Sequence, residues 1–309
     1  MALLLKTSSD RGPWWRAEFK KALPDLEFRQ FPDVGKPADI EFALVWLPDP
    51  GFLKTLPSLK AIFSLGAGVD HILVDRDLPE GVPIVRLVDE QLTRQMTEYA
   101  VLHALSFHRQ AASYEAQQRE KRWHEFPQKM TNERRVGVLG IGEIGGAVAR
   151  ALASLGFDVA GWARSERREA GFPVFTGRER LNAFLGRSDI VVCVLPLTPA
   201  TADILNAQAF AAMPKGGYVI NIGRGPHVVE GDLIAALDSG HLAGAALDVF
   251  RQEPLPASSP LWTHPQVTVT PHVAAITDPR SALKQVVENI KRIRSGQAPL
   301  NLVDPKRGY

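Results

Sequence analysis

Cysteine is almost absent from this chain. Its 309 residues include one, Cys193, so no internal disulfide can form and a fold stapled by disulfides is excluded. Cys193 sits in a continuous apolar run, Asp189-Ile-Val-Val-Cys193-Val-Leu195, which marks it as a small buried hydrophobe in a strand rather than a nucleophile. Long apolar runs are also lacking. None reaches the length needed to span a bilayer, and the opening Met1-Ala-Leu-Leu-Leu-Lys6 is too short for a secretory signal. The expectation is a cytoplasmic location with no membrane partner. An excess of charge of one sign is missing: 36 Lys and Arg against 34 Asp and Glu leave +2, which argues against nucleic acid as a partner. The eight histidines are scattered, with no His/Asp/Glu spacing that resembles a ligand set, so no metal is expected. Asp70-His71 reads as a turn. Solenoid repeats and low-complexity tracts are absent too.

What is present is the composition of a globular protein, 45% hydrophobic and 23% charged. The length suits two domains of roughly 100–200 residues. Short apolar runs recur at Ala43–Leu47, Ala61–Leu65, Val136–Leu139, Val159–Trp162, Ile190–Leu195, Tyr218–Ile222, Gly244–Val249 and Val267–Val269. Helical-period segments separate them. In Gly146–Leu155 the residues Val148, Ala151, Leu152 and Leu155 share one face. This alternation predicts βαβ units and mainly parallel sheets, an α/β fold. The charged stretch Gln110–Arg135 interrupts the pattern and reads as an exposed helix end and loop. A second domain is then built around 136–270, entered by a helix beginning near Gln95. The amphipathic segment Pro279–Gln297 reads as a helix returning to the first domain, which makes that domain discontinuous. The expected division is residues 1–98 with 279–309, and 99–278.

The run Val136-Gly-Val-Leu-Gly140-Ile-Gly142-Glu143-Ile144-Gly145 holds a G-x-G-x-x-G between a predicted strand and a predicted helix, the context in which it binds a dinucleotide. Gly140 permits the tight turn, Gly142 lets backbone approach a pyrophosphate, and Gly145 lets the helix pack against the sheet. The helix N-terminus offers N–H groups to phosphate. An acidic residue at the end of the next strand would select NAD. Here Asp158 starts that strand, and its end reads Ala163-Arg164-Ser165. An arginine and a hydroxyl there suit a 2′-phosphate, with Arg167 or Arg168 adding to the field. The expectation is NADP(H) in preference to NAD(H).

Three more strand ends carry polar residues, where ligands bind in open α/β sheets. Val219-Ile-Asn-Ile222-Gly223-Arg224-Gly225 ends in a guanidinium that either anchors an anion or lies in a surface turn. Asp248 ends the next run and Glu253 follows it; Asp248 either meets a cofactor carboxamide or simply closes the strand. His272 follows Val267-Thr-Val-Thr-Pro271. Reduction of a 2-keto acid needs a proton donor and a cationic anchor beside a hydride source. His272 suits the first role, with Glu253 orienting it and favouring its charged form. Arg224 suits the second, holding the carboxylate or polarising the keto oxygen.

Taken in order, these segments resemble the D-isomer-specific 2-hydroxyacid dehydrogenases. The matching motifs are Gly140–Gly145, Leu195-Pro196-Leu-Thr198-Pro-Ala-Thr201, Asn221–Gly225, Asp248–Leu255 and Pro271–Ala274, preceded by Ser64-Leu-Gly66-Ala67-Gly68-Val69-Asp70-His71. The resemblance implies two Rossmann-like doubly wound domains, the discontinuous one flavodoxin-like and substrate-binding. It implies Arg224, Glu253 and His272 as the catalytic set. Cofactor contacts are implied for Gly140, Gly142, Glu143, Ile144, Gly145, Arg164 and Ser165, for Leu195, Pro196 and Thr201, and for Ile222, Gly223, Arg224, Asp248, His272 and Ala274. Ala67, Gly68 and Val69 are implied to meet the substrate, with Arg224 and His272. Trp46 either shapes a small substrate pocket or is a core aromatic ending its strand.

Ala43-Leu-Val-Trp46, Gln95-Met-Thr-Glu-Tyr99 and Gly161-Trp-Ala-Arg164-Ser165 resemble the family members that reduce glyoxylate and hydroxypyruvate. That subgroup implies a homodimer and an NADPH preference. Ala163 stands where it more often has serine, leaving Arg164 and Ser165 to carry the phosphate contact. Two rivals remain. A dinucleotide-responsive, corepressor-like interaction module is disfavoured by the lack of an extended or charge-blocked tail. A formate or phosphoglycerate dehydrogenase is the other, the latter disfavoured by the lack of an added regulatory domain.

Overall fold

The computed structural model describes residues 1–7, 11–166 and 171–304. The chain divides into two compact units, Met1–Leu92 with Thr277–Tyr309, and Thr93–Ile276.

The opening apolar run is a strand, β1 (Ala2–Lys6), with its first four residues fully buried. Helix α1 (Gly12–Ala22) follows, started by Pro13, whose fixed φ suits a first turn. Then come β2 (Glu27–Gln30), β3 (Ile40–Val45), β4 (Ala61–Ser64), the single-turn α2 (Asp70–Leu73) and β5 (Ile84–Val85). The strands form one five-stranded sheet, ordered β2-β1-β3-β4-β5 and parallel throughout. Trp15 and Phe19 of α1 stack in series with Phe28 of β2, with centroids 5.8 and 5.7 Å apart. Asp70-His71, expected as a turn, opens α2.

Helix α3 (Glu90–His108) carries the chain into the second unit. It starts ahead of Gln95 because the Asp89 carboxylate accepts the Gln91 N–H at 2.9 Å, as a cap does. The Gln95–Tyr99 motif thus lies inside the helix. Beyond it comes the mostly exposed helix end and loop that the sequence suggests, with a break in the helix. Gln110 takes φ 55, which breaks α3, and a separate helix α4 (Ala111–Arg119) follows. Buried Gln117 accepts the His124 N–H at 3.1 Å, and Tyr114 meets Phe126 edge-on, so the loop folds back on α4.

Beyond it run β6 (Arg135–Leu139), α5 (Glu143–Ser154), β7 (Asp158–Ala163), β8 (Val174–Thr176), α6 (Leu181–Gly186), β9 (Ile190–Cys193), α7 (Ala207–Ala212), β10 (Gly217–Asn221), α8 (Glu230–Asp238), β11 (Leu242–Leu247) and β12 (Val267–Val269). They make a seven-stranded parallel sheet, β12-β11-β10-β9-β6-β7-β8. Strand order reverses between β6 and β9, a topological switch point, where such sheets bind ligands beyond their carboxyl ends. The inner strands read as unbroken apolar runs because both faces are covered. On α5 the buried face is Gly145, Val148, Ala149 and Leu152; Leu155, expected on it, is the C-cap and 42% exposed.

The last helix, α9 (Pro279–Arg294), belongs to the first unit. Asp278 caps it by accepting the Arg280 N–H at 3.0 Å, and Lys291, Arg292 and Arg294 fill its last turn, favourable to the helix dipole. Ala282, Val286 and Ile290 pack into the same core as Phe19, Phe42 and Phe63. Among the described residues no helix is long and apolar enough to cross a membrane, and no group of three His, Cys, Asp or Glu is placed to hold a metal.

Ile290 is fully buried in that core, so Ile290→Ala is expected to cost about 2–5 kcal/mol. Lys284→Ala, on the exposed side of α9, is expected to stay within about 0.5 kcal/mol. Urea unfolding midpoints of the two variants check this; equal midpoints would mean α9 is not part of the core.

Candidate active site

The turn after β6 is built from three glycines with three different constraints. Gly140 has φ 98, a backbone open to glycine at little cost. A Cβ on Gly145 would lie 1.8 Å from the Gly140 carbonyl oxygen, so only glycine lets α5 sit this close to the turn. Around Gly142 a Cβ would meet no atom of the described residues within 4 Å. Nothing inside the fold demands a glycine there; the open space on its outer side fits a group lying against the backbone. Gly142 is also the N-cap of α5, and the first-turn N–H groups have no acceptor within a helix. The turn therefore fits a pyrophosphate, with Glu143 and Ile144 in that first turn.

At the carboxyl end of β7, Ala163 is buried while Arg164 and Ser165 are exposed. Asp158 lies at the other end, paired with Arg187 at 2.7 Å. The carboxyl end of the strand thus reads Ala163-Arg164-Ser165, with its aspartate at the start. Arg167 and Arg168 lie outside the described residues.

Beyond β9, Leu195 is buried and packs over Gly140. The Thr201 hydroxyl donates to the Pro196 carbonyl at 2.7 Å and accepts the Thr198 N–H at 2.9 Å, closing the loop. Beyond β10, Ile222 and Gly223 are buried and Arg224 is partly exposed. Buried Asn221 ties this turn, accepting the Gly223 N–H at 3.2 Å and donating to the Arg224 carbonyl at 2.9 Å. His227 joins the two loops. Its Nδ1 accepts the Arg224 N–H at 3.1 Å, and its Nε2 lies 3.3 Å from the Pro196 carbonyl. With Nδ1 accepting, Nε2 is the protonated nitrogen. Neither Asn221 nor His227 was singled out from the sequence. The Asn-x-Gly-Arg spacing is the signal for the first; His227 looks like any loop histidine until Pro196 is placed beside it.

Asp248, 1% exposed, is taken up with the next turn. Its carboxylate accepts the Thr270 hydroxyl at 2.6 Å and the N–H groups of Val273 and Ala274, each at 2.8 Å. Its own carbonyl accepts the His272 N–H at 2.8 Å. The contacts observed are those of a residue closing the strand. They hold His272 at φ 55, a left-handed conformation that costs a non-glycine residue roughly 1–2 kcal/mol and persists only where surroundings impose it. Ala274 is buried beside Ile222.

So held, His272 Nδ1 lies 2.7 Å from Glu253 Oε2, and both side chains are 35% exposed. Glu253 Oε1 accepts the Phe250 N–H at 2.9 Å. Partial burial pushes the Glu253 carboxyl up, but the hydrogen bonds from His272 and Phe250 and the charges of His272 and Arg224 outweigh it. The net result lies below the ordinary glutamate value. An ionised carboxylate thus faces the imidazole, within the field of Arg224. The arrangement can orient an imidazole, supply a proton from its outer nitrogen and present a cation to an anion.

Trp46 and the Ser64–His71 loop belong to the first unit. Buried Ser64 laces the loop, accepting the Gly66 N–H and donating to the Gly68 carbonyl, both at 3.1 Å. Val69 points into the core while Ala67 and Gly68 are partly exposed. Trp46 is half-buried outside the core clusters. Its ring covers Gly66, where a Cβ would lie 2.6 Å from it, and meets His71 edge-on at 4.4 Å. It lines the loop rather than the interior.

Residues 101–274 match the family model for the NAD binding domain of D-isomer specific 2-hydroxyacid dehydrogenases. The glyoxylate/hydroxypyruvate reductase A of Yersinia enterocolitica is 42% identical over 301 residues, 96% of each chain. A crystal structure of a D-isomer specific 2-hydroxyacid dehydrogenase from Xanthobacter autotrophicus Py2, in complex with NADPH and MES, superposes with a TM-score of 0.94 at 45% identity, covering 100% of this chain and 99% of that one. The NADPH-dependent glyoxylate/hydroxypyruvate reductase of Sinorhizobium meliloti, in complex with NADP and sulfate, gives 0.92 at 39% identity over 100% and 99% of the two chains. With the strand order, the glycine turn and these relatives agreeing, the chain belongs to the D-isomer specific 2-hydroxyacid dehydrogenase family.

Proposed function

We propose that this enzyme reduces a small 2-keto acid, glyoxylate or hydroxypyruvate, to the 2-hydroxy acid with NADPH, and that His272 is the general acid. The observation that carries the reading is the 2.7 Å contact of His272 Nδ1 with Glu253 Oε2 at the carboxyl edge of the sheet. The relatives named above as reductases of these acids, and those holding NADPH or NADP, support it.

In this reading the second unit holds the cofactor. The Gly140–Gly145 turn and the start of α5 would hold the pyrophosphate, and Arg164 with Ser165 the 2′-phosphate. When bound, the nicotinamide dinucleotide supplies the hydride that reduces the keto carbon. Glu253 accepts the hydrogen bond of His272 Nδ1–H, which leaves Nε2 to donate a proton to the carbonyl oxygen. Hydride and proton together convert the carbonyl to the alcohol. Arg224, its backbone fixed by Asn221 and His227, binds the substrate carboxylate or polarises the reacting oxygen.

The first test is NADPH and NADH oxidation with glyoxylate, hydroxypyruvate, pyruvate and phenylpyruvate. Fast NADPH-dependent turnover of the first two is expected. Preference for NADH throughout would overturn the cofactor reading, and no turnover of any acid the reaction. Arg164→Ala should raise the KM for NADPH about ten- to a hundredfold, as loss of a charge-assisted bond does, with the KM for NADH little changed. Equal effects on both cofactors would remove Arg164 from phosphate recognition.

Glu253 supplies a third test. Because its carboxyl is lowered in the fold, its contact with His272 stabilises the protein above the ordinary carboxylate range. That contribution is lost as the pH falls through the lowered value. Carbon-13 titration of the Glu253 carboxyl should give a midpoint below the ordinary glutamate value that moves up in His272→Ala. A midpoint unmoved by that substitution would mean the pair is not formed in solution.

A further inference from the structure

The segment from Thr270 to Ile276 carries His272 without being part of a helix or strand. Asp248 grips its middle from below, as described. Helix α3 grips both of its ends. At one end the Tyr99 hydroxyl and the Thr270 hydroxyl are 2.7 Å apart. At the other, Gln95 makes a two-way bond with the backbone of a single residue: its Nε2 donates to the Ile276 carbonyl and its Oε1 accepts the Ile276 N–H, both at 3.0 Å. Gln95 and Tyr99 are four residues apart, so they stand one turn apart on the same helix face.

The direction of the Tyr99 bond follows from its neighbours. Thr270 has one hydroxyl hydrogen, and it points to Asp248 Oδ1 at 2.6 Å. Tyr99 must therefore donate. Burial pushes its phenol up to about 12, so the donor proton is retained at any ordinary pH. The ring is seated against His103, centroids 4.3 Å apart. The result is one chain of hydrogen bonds, from Tyr99 to Thr270 to Asp248, whose far end also holds the N–H groups of Val273 and Ala274 on the other side of His272.

We propose that Tyr99 and Gln95 are positioning residues for the reaction, a clamp on α3 that holds the His272 segment at both ends and so sets the imidazole against Glu253. The proposal rests on His272 being the general acid. His272 sits in a left-handed conformation, which has to be imposed by the contacts around it. The clamp supplies two of those contacts from outside the segment. It touches neither Arg224 nor the glycine turn in any contact described above, so its loss should act first on the proton-donating step.

The test measures glyoxylate reduction, NADPH binding by fluorescence and the carbon-13 titration of Glu253 in the full chain. The variants are Tyr99→Phe, Gln95→Leu, Thr270→Ser, Thr270→Val and the double Tyr99→Phe/Thr270→Val, with His272→Ala as reference. Tyr99→Phe and Gln95→Leu should lower kcat about ten- to a hundredfold, the scale on which a misplaced catalytic group acts. The KM for glyoxylate and the Kd for NADPH should stay within about threefold, and the Glu253 midpoint should move toward its value in His272→Ala. Thr270→Ser, which keeps the hydroxyl, should retain near-normal kcat. Tyr99→Phe should add little to Thr270→Val, because the two act through one chain. Normal kcat and an unmoved Glu253 midpoint in Tyr99→Phe and Gln95→Leu, with His272→Ala inactive, would overturn the clamp. A loss of kcat with an equal rise in KM and an equal loss of NADPH affinity would assign Tyr99 to folding and overturn it as well. If His272→Ala keeps normal kcat, the general-acid reading fails instead, and the Glu253 titration alone judges the clamp.

Discussion

A carboxylate removed from water costs several kcal/mol unless donors replace the lost hydration, and Asp248 meets that condition by folding the chain around itself. Two backbone N–H groups and one hydroxyl converge on it from Thr270, Val273 and Ala274. The stretch between them has little freedom left. His272 lies inside that stretch, and its left-handed backbone follows from the grip on either side. The nearness of His272 to Glu253 thus follows from the way a buried carboxylate is satisfied.

The same logic recurs along the sheet edge. Asn221 closes the turn that presents Arg224, and His227 ties that turn to the loop after β9. Ser64 closes the loop over which Trp46 lies. Asn221 and, in the other unit, Ser64 are short polar side chains at the ends of buried strands, and with the His227 ring they satisfy backbone groups that would otherwise be left without partners. A reactive or exposed residue is held as a by-product. The sheet contributes the common edge: all its strands are parallel, so the ends of β6, β7, β9, β10, β11 and β12 face one way.

The three glycines of the turn after β6 divide in an informative way. Gly140 and Gly145 are explained by the protein alone, one by backbone conformation and one by contact with the Gly140 carbonyl. Gly142 has no such internal reason. A residue whose side chain would meet only open space, yet is glycine within this pattern, directs attention to what lies outside the chain. A structure without its cofactor can therefore still distinguish a glycine kept for folding from one that leaves room for a ligand.

The alternation of apolar runs with helical segments by itself determined the α/β class, because a parallel strand buried on both faces must be apolar along its length. The amphipathic pattern of Pro279–Gln297 likewise announced a helix, which the structure places at Pro279–Arg294. Motif order was enough to point to the family. Less was legible where the signal is not periodic. The strands Glu27–Gln30, Ile84–Val85 and Val174–Thr176 are too short to show alternation. The break at Gln110 depends on one backbone angle, and Leu155 falls on the buried face of an ideal helix but beyond the end of the real one. Only the tertiary structure decided which polar groups meet: Asp248 with the turn at 270–274, His227 with Pro196, and Gln95 and Tyr99 with the His272 segment. Those pairs are separated by 22 to 181 residues along the chain. Hydrogen bonds are directional and short-ranged, so whether they form depends on ångström-level placement that residue spacing does not encode.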